Sequence, residues 1–277
     1  MSLPASHLAT TRPVGELLRD WRQRRRMSQL DLACEADIST RHLSFVETGR
    51  AQPSREMLLH LAERLNVPLR ERNALLIAAG FAPMFAERSL DDPALKAARA
   101  ALDLVLRGHE PYPALAVDRH WNLVAMNRAV GAFMDGIAPE LLQPPVNVLR
   151  LALHPGGLAP RIVNLVEWRA HLIARLHQQI AASADPGLDA LMRELCDYPV
   201  PGDGAPHLHT DYAGVIVPLK LKTPGGVLSF FSTITVFGTP VDITLSELAL
   251  EAFFPADAAT AAALRRLGDG QTAAASA

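Results

Sequence analysis

Apolar residues recur at helical spacing through the first 80 residues of the chain. Leu17, Leu18 and Trp21 share one face of a helix predicted over 13–26. Two short helices are predicted within 27–50, one starts after Ser54, and one runs over 69–79 and is closed by Gly80. This part of the chain is predicted to be an all-α bundle of five helices.

The two helices within 27–50 each carry a start signal. Ser28 is a predicted N-cap with Asp31 three residues later, and Ser39 is the next predicted N-cap. Apolar residues before each cap can pack on the first turn, and the connection runs through Ala36 and Asp37. The pattern indicates two helices joined by a tight turn.

The second of these helices has an apolar inner face and a polar outer face. Leu43 and Val46 point inward, whereas Thr40, Arg41 and Ser44 share the outer face. Polar side chains on a helix in this position are of the kind that reaches base edges in a DNA groove. Glu47 is interpreted as structural, paired with an arginine of the first helix, because an acid facing phosphate would be repelled.

From residue 89 the pattern changes. A linker helix is predicted over 89–112, with an apolar stripe of Leu95, Leu102, Val105 and Leu106 whose docking partner stays open. Two short β-rich runs follow, and then a series of helices that includes a long one predicted over 160–182. Three final strands are predicted, the first from Val215, and in the second Leu228 and Phe230 share one face. Their order is that of a PAS-like fold, an antiparallel five-stranded sheet with helices across one face. The predicted fold class is therefore α+β, with domains at 1–88 and 113–277 joined by the linker helix.

Charge separates the two halves of the chain. Residues 1–88 hold 13 Arg against 10 Asp and Glu, a net charge of +3, while the remainder holds 14 Lys and Arg against 19 acids, a net charge of -5. A run of arginines, 22 and 24–26, ends the first predicted helix, where cations suit both the helix C-terminus and phosphate contact. The asymmetry favours a DNA-binding head on an acidic body.

Composition indicates an Ala- and Leu-rich globular protein, with 49% hydrophobic and 20% charged residues. No apolar run reaches the roughly 18 residues of a membrane span, and the N-terminus lacks a secretory signal pattern. The expectation is a cytoplasmic protein without membrane contact. The two cysteines, Cys34 and Cys196, are too few for a disulfide framework, and Cys34 is expected to be buried.

The first domain resembles the XRE family of lambda-repressor-like helix-turn-helix regulators over about residues 13–80. The resemblance is carried by SQxxLA, xIS, ExGRxxPS and LAExLNV. It implies that Gln29 contacts phosphate and that Thr40, Arg41 and Ser44 read the major groove. One position departs from the family pattern, since the turn residue that is commonly Gly is Asp37. The full set of predicted contacts to double-stranded operator DNA is Arg25, Ser28, Gln29, Ser39, Thr40, Arg41, Ser44 and Arg50.

The whole chain resembles XRE regulators that carry a MmyB-like ligand-binding domain. The segments that carry this resemblance are VDRHWNLVAMNRA, NVLRLALHPGG, LVEWRAHLIARL and SFFSTITVFGTPVDITLSELALEAFFPAD. The resemblance implies a cavity between sheet and helices that holds an apolar small molecule, fatty-acid-like in at least part of the family. It implies no other cofactor.

Large apolar side chains of the second domain are candidates for lining that cavity, although such residues also build an ordinary core. The predicted lining residues are Trp121, Met126, Leu149, Trp168, Leu172, Phe231 and Phe237. Arg128, Arg150, Arg161 and Arg169 are candidates for binding a carboxylate, since guanidinium forms bidentate pairs with it, although the sequence favours a solvent-facing arginine at each of these positions.

One pattern points to other chemistry. His207, His209 and Asp211 form H-x-H-x-D, a spacing that can hold a metal ion, but a polar loop produces the same letters. The motifs of serine hydrolases, phosphate-binding loops and zinc proteases are absent from the sequence. No metal site and no enzymatic activity are predicted.

The sequence thus predicts a homodimeric transcription regulator that binds operator DNA and senses a small-molecule effector. Two alternatives stay open: a second domain that serves only for dimerisation and protein contact, and a metal-dependent enzyme tethered to DNA.

Overall fold

The computed structural model describes residues 12–200, 217–238 and 242–275, with side chains described as far as residue 269. The chain divides into two compact units, one built mainly from residues up to Glu87 and the other mainly from Arg88 onward. We call them the head and the sensor domain.

Five helices form the head, as the sequence predicts. They are α1 (Val14–Arg24), α2 (Gln29–Glu35), α3 (Thr40–Glu47), α4 (Arg55–Arg64) and α5 (Leu69–Ala78). Their apolar faces meet in a core of leucines that are at most 1% exposed: Leu18, Leu32, Leu43, Leu58, Leu61, Leu65, Leu75 and Leu76. Cys34 is exposed, contrary to expectation, because Leu32 and Ala33 occupy the inner face of α2.

The predicted helix starts are present. The Ser28 hydroxyl accepts from the Asp31 backbone N–H at 3.1 Å, and the Asp31 carboxylate accepts from the Ser28 N–H at 2.8 Å. This reciprocal pair satisfies two N–H groups that the helix itself leaves free. The Ser39 hydroxyl accepts from the N–H of His42 at 3.1 Å, so α3 begins in a fixed orientation.

All five head helices end in the same way. Each is followed by a residue in the left-handed region, and the N–H of the next residue donates a hydrogen bond back to a carbonyl of the last helical turn. At the end of α3, for example, the Arg50 N–H donates to the Phe45 carbonyl at 2.8 Å. The left-handed residues are Arg26, Asp37, Gly49, Asn66 and Gly80. Only two are glycines, so three positions hold side chains in a conformation that disfavours them. Asp37, at φ 50°, occupies the turn of the helix-turn-helix.

A close approach fixes α1 against α3. A Cβ atom on Gly15 would lie 2.4 Å from the carbonyl oxygen of Val46, well inside contact distance. Glycine at this position therefore lets α1 lie directly on the end of α3.

The sensor domain alternates helices with a five-stranded sheet. Its helices are α6 (Lys96–Gly108), α7 (Arg128–Gly131), α8 (Val148–Leu153), α9 (Leu165–Ser183), α10 (Pro186–Asp197), α11 (Ile243–Ser246) and α12 (Ala258–Ala275). Its strands are β1 (Ala114–Val117), β2 (Leu123–Met126), β3 (Leu219–Thr223), β4 (Gly226–Val236) and β5 (Ala249–Pro255). Short 3₁₀ turns lie at Pro93–Leu95, Pro139–Leu142 and Ala159–Arg161.

The strands pair in the order β2-β1-β5-β4-β3, each antiparallel to its neighbours. This confirms the predicted α+β domain with an antiparallel five-stranded sheet. On one face, Leu115, Leu221 and Phe230 join the core formed with α8, α9 and α10. On the other face, Leu102 and Leu106 of α6 pack in one cluster with sheet residues that include Ala116 and Leu250.

Several predicted elements differ in detail. Within the predicted linker, α6 docks on the sheet, and Val105 is exposed rather than part of the buried stripe. The long helix expected from Pro160 begins only at Leu165, because Ile162 forms a bridge with Leu221 of β3 that interrupts it. The sequence did not predict α12. Part of the strand expected from Val215 lies outside the described residues.

Candidate functional site

The outer face of α3 presents the polar side chains that the sequence singled out. Arg41 is exposed, and Thr40 and Ser44 are half-buried, while Leu43 and Val46 are buried beneath them. The Arg41 guanidinium carbon lies 5.4 Å from the centre of the Phe45 ring. This contact holds the cation along α3, so the face is polar, basic and ordered.

The predicted contacts from the helix starts and from the loop after α3 lie at the surface. Ser28 and Ser39 are exposed, and because each hydroxyl accepts a backbone N–H, its own proton is left to donate outward. Arg50 is exposed, with its guanidinium carbon 6.0 Å from the Phe45 ring. Helix N-termini with free donors are ready binding places for phosphate.

Beneath this surface, Glu47 is fully buried in α3 and bound from two other helices. Arg22 donates to its carboxylate through Nε at 2.6 Å and Nη2 at 2.8 Å, and Gln29 donates from its side-chain amide at 2.8 Å. Burial opposes ionisation of Glu47, but these bonds and the charge of Arg22 outweigh it and hold its pKa below the ordinary value. The structural interpretation of Glu47 is confirmed. Gln29 is thereby fixed beside α3 by a bond that the sequence did not reveal.

The arginines that end α1 differ in their contacts. Arg25, a predicted DNA contact, donates through Nε to the carbonyl of Leu65 at 2.8 Å and through Nη2 to that of Asn66 at 3.0 Å. Burial and the neighbouring Arg24 lower its pKa. Its guanidinium therefore caps α4, whereas Arg24 and Arg26 are exposed.

The sensor domain contains an apolar cavity of about 110 Å³ between the sheet and the helices on its inner face. Its walls are almost wholly hydrocarbon. They include Leu115, Leu123, Val130, Phe133, Met134, Leu149, Ala152, Leu158, Ile162, Trp168, Leu172, Leu221, Phe230 and Phe253. One wall residue, Glu251 of β5, is ionisable.

Three of the seven predicted lining residues, Leu149, Trp168 and Leu172, line this cavity. All three lie on helices whose apolar periodicity faces the sheet, and all three are buried. The spacing of apolar residues along a helix is therefore enough to identify these three as residues that face the cavity.

The other four predicted residues lie elsewhere. Met126 is 45% exposed on the edge strand β2, and Phe237 packs beside the α6 cluster. Phe231 points away from the cavity because its neighbour Phe230 points toward it, and it stacks on Phe254 at 5.2 Å. Trp121 is buried in the core of the domain but does not reach the cavity wall.

The four arginines considered for a carboxylate all have partners in the protein. Arg150 forms a bidentate pair with Glu194, with both bonds at 2.7 Å, and Arg128 pairs with Glu110 at 3.2 Å. Arg161 and Arg169 donate to backbone carbonyls, for Arg169 those of Leu195 and Cys196. The cavity wall includes none of the four.

The polar group next to the cavity was missed. Arg175 of α9 donates through Nη1 to the Glu251 carboxylate at 3.0 Å, and its guanidinium carbon lies 4.2 Å from the centre of the Trp121 ring. His171, one turn earlier, stacks on Trp168. Burial is the main cause of a lowered pKa for His171. The spacing of His171 and Arg175 on α9 was a signal, but Glu251, the partner of Arg175, lies 76 residues further along the chain.

Over the residues that the structure describes, no group of three or more His, Cys, Asp or Glu side chains is placed to hold a metal ion. The predicted cluster of His207, His209 and Asp211 lies outside the described residues. None of the described helices has the length and apolarity needed to cross a membrane.

Comparisons with known proteins were made for the whole chain. A family model described as the MmyB-like transcription regulator ligand binding domain matches residues 98–267, and a helix-turn-helix domain model matches residues 13–75. A search of curated proteins found no match. Among solved structures, the clp gene regulator ClgR from Corynebacterium glutamicum is 28% identical over 35% of this chain and 90% of that one, but a TM-score of 0.22 is too low to bear on the fold. Since the ligand-binding model spans more than half of the 277 residues, the chain belongs to the MmyB-like transcription regulators, with a DNA-binding helix-turn-helix domain ahead of the ligand-binding domain.

Proposed function

We propose that the protein is a homodimeric regulator whose head reads an operator sequence with α3 and whose sensor domain responds to an apolar small molecule. The observation that carries the sensing role is the hydrocarbon-lined cavity inside the domain that matches the ligand-binding family. Its presence favours a sensor over a domain that serves only for dimerisation, because a dedicated contact module has no need of internal space.

On the DNA side, Thr40, Arg41 and Ser44 contact base edges, while Ser28, Gln29, Ser39 and Arg50 position the head on phosphate. The exposed outer face of α3 and the outward hydroxyls at the helix starts support this division. Arg25 acts structurally in this proposal, because its donors are engaged by the end of α4.

The effector is fatty-acid-like in its acyl chain. An apolar cavity of roughly 150 Å³ holds a benzene-sized molecule. The cavity in this domain, at about 110 Å³, is smaller and therefore accepts only a short acyl chain without rearrangement. Each further methylene requires a lining side chain to move, and Met134 is the most adaptable of them because its unbranched chain rotates freely. The effector changes DNA binding only if its affinity differs between two states of the protein.

Solvent extraction of the purified protein followed by mass spectrometry tests the sensing role. We expect an apolar molecule to co-purify, or the protein to bind members of a series of fatty acids and esters of increasing chain length at one saturable site. A protein that yields no such molecule and binds none of the series has a filled core, and the dimerisation role then replaces the sensing role.

Replacing Arg41 by Ala tests the reading role of α3. We expect specific binding to weaken by about 1–3 kcal/mol while binding to random DNA changes little, since a bidentate contact to guanine distinguishes bases. Arg55→Ala, an exposed arginine at the start of α4 outside the predicted set, is the matched control. Equal loss on specific and random DNA would assign Arg41 to phosphate instead.

A further inference from the structure

Arg175 lies beside the cavity for two independent reasons. Trp168 and Leu172 line the cavity, and Arg175 follows Leu172 by three residues on α9, so the three share one helix face. Helical side chains lean toward the helix N-terminus, which directs the Arg175 side chain back toward Leu172. Its partner Glu251 is itself part of the cavity wall.

The guanidinium of Arg175 has an unused donor. Nη1 binds Glu251, the ring of Trp121 covers the planar face, and Nη2 is buried without a hydrogen-bond partner. A buried donor without an acceptor is costly, and a bound molecule that supplies an acceptor recovers that cost. Nη2 is therefore a donor available to an oxygen atom close to Glu251, and Glu251 belongs to the wall of an otherwise apolar cavity.

The charges of Arg175 and Glu251 beside the cavity already balance each other. The positive charge of Arg175 is matched by Glu251, whose side chain is 7% exposed, and the neighbouring His171 is held toward its neutral form by burial and by Arg175. An ionised carboxylate entering the cavity would lie near the Glu251 carboxylate, and the described residues of the cavity wall include no Lys or Arg to receive it. Burying such an uncompensated charge is strongly unfavourable.

We propose that the cavity selects an effector whose head group is a neutral hydrogen-bond acceptor, such as the carbonyl of an acyl ester, and that Nη2 of Arg175 donates to it. The inference rests on the proposed role of the cavity as the effector site and specifies the chemical class of the effector. Glu251 is then the specificity-determining residue, because its charge excludes free fatty acids in their ionised form.

The test compares methyl butanoate, ionised butanoate and pentane, whose chains are short enough for the cavity, on the full-length protein by titration calorimetry. We expect the wild-type protein to bind methyl butanoate roughly tenfold or more tightly than either of the others, because a single hydrogen bond from a charged donor contributes that much. In Glu251→Gln the excluding charge is gone, and butanoate should bind at least as tightly as the ester. This reversal is an effect that a merely structural pair would not produce.

A double variant, Arg175→Met with Glu251→Met, replaces the whole pair by apolar side chains, a change that proteins often tolerate without loss of stability. It should bind methyl butanoate no better than pentane, and it decides the question if Glu251→Gln does not fold. Arg128→Met is the control, because it removes an arginine of the same domain that is paired with Glu110 away from this cavity, and it should keep the wild-type preference.

The outcomes separate the two proposals. Equal binding of ester and ionised acid by the wild-type protein, or an ester preference that survives the double variant, overturns the neutral-head inference and leaves the cavity as an effector site. Failure of all three probes to bind overturns the effector site itself, and the inference with it.

Discussion

The head and the sensor domain each contain a buried Arg–Glu pair, and these two pairs are built differently. In the head, Glu47 receives two bonds from Arg22 and a third from Gln29, and its side chain is fully buried. In the sensor domain, Glu251 receives one bond from Arg175, and a nitrogen of that arginine is left without a partner. The carboxylate of the first pair receives three hydrogen bonds from the protein itself, whereas the arginine of the second pair has a donor that is available to a ligand.

The packing around the two pairs follows the same division. The leucine core of the head is closed, and even the approach of α1 to α3 leaves no room for a single methyl group at Gly15. The sensor domain contains a partly open apolar cavity between its sheet and its helices. A domain that must present a fixed surface to DNA gains from complete packing, and a domain that must receive a molecule gains from space and an unsatisfied donor.

The largest expected effect comes from Glu47→Gln. It leaves Arg22 buried without a counter-charge and should lower the free energy of unfolding of the head by about 3–5 kcal/mol. Hydrogen exchange resolved by peptide reports the stability of each domain separately. Asp20→Asn, which removes an exposed pair with Arg12, is the control and should cost less than about 1 kcal/mol. Equal effects of the two changes would mean that burial of Glu47 contributes nothing.

The same pair gives the head a sensitivity to acid. Because the pKa of Glu47 is held below its ordinary value in the folded protein, its contribution to stability is full above the unfolded pKa of about 4.3 and is lost as the pH falls through the folded pKa. Hydrogen exchange of α1–α3 followed from neutral to acid pH should show this loss in the wild-type protein. A Glu47→Gln head, already without the charge, should depend less on pH over the same range.

An identical substitution in both cores tests the difference in packing. Ala33→Leu adds three carbons to the closed core of the head and should destabilise it by about 1–3 kcal/mol. Ala152→Leu adds the same carbons at the cavity wall, so it should cost less than about 1 kcal/mol while abolishing binding of an effector that needs that space. Thermal unfolding and calorimetric titration measure the two results. A similar cost at both positions would contradict the contrast between a closed and an open core.

The smallest expected effect concerns the turn of the helix-turn-helix. Asp37→Gly removes a side chain from a left-handed conformation and should stabilise the head by up to about 1 kcal/mol, with DNA affinity unchanged. Asp31→Gly is the opposite control, since it removes the reciprocal cap of α2 and should destabilise the head. Denaturant midpoints of the two variants should move in opposite directions.

The parts that the sequence predicted correctly are those decided by neighbours along the chain. The caps at Ser28 and Ser39 and the inward faces of the head helices depend on residues within one or two turns. Alternation also places Phe230 on the same face as Leu228. Phe231, a large residue predicted to line the cavity, lies on the opposite face because neighbouring residues of a strand alternate.

The parts that were missed depend on pairs far apart in sequence. Nothing near Arg25 indicates that it caps α4, and nothing near Arg175 indicates that it will pair with Glu251. The interruption between Pro160 and Leu165 likewise depends on Leu221 of β3. Such contacts are set by the tertiary fold, so local propensity and spacing carry no information on them.

The cavity also affects how the sensor domain is expected to respond to pressure. Unfolding releases internal void volume, so hydrostatic pressure favours the unfolded state most where that volume is largest. With a cavity of about 110 Å³ in the sensor domain and a closed leucine core in the head, pressure should open the sensor domain first. An occupant that fills the void removes that volume, so a bound effector is expected to raise the pressure that the sensor domain withstands.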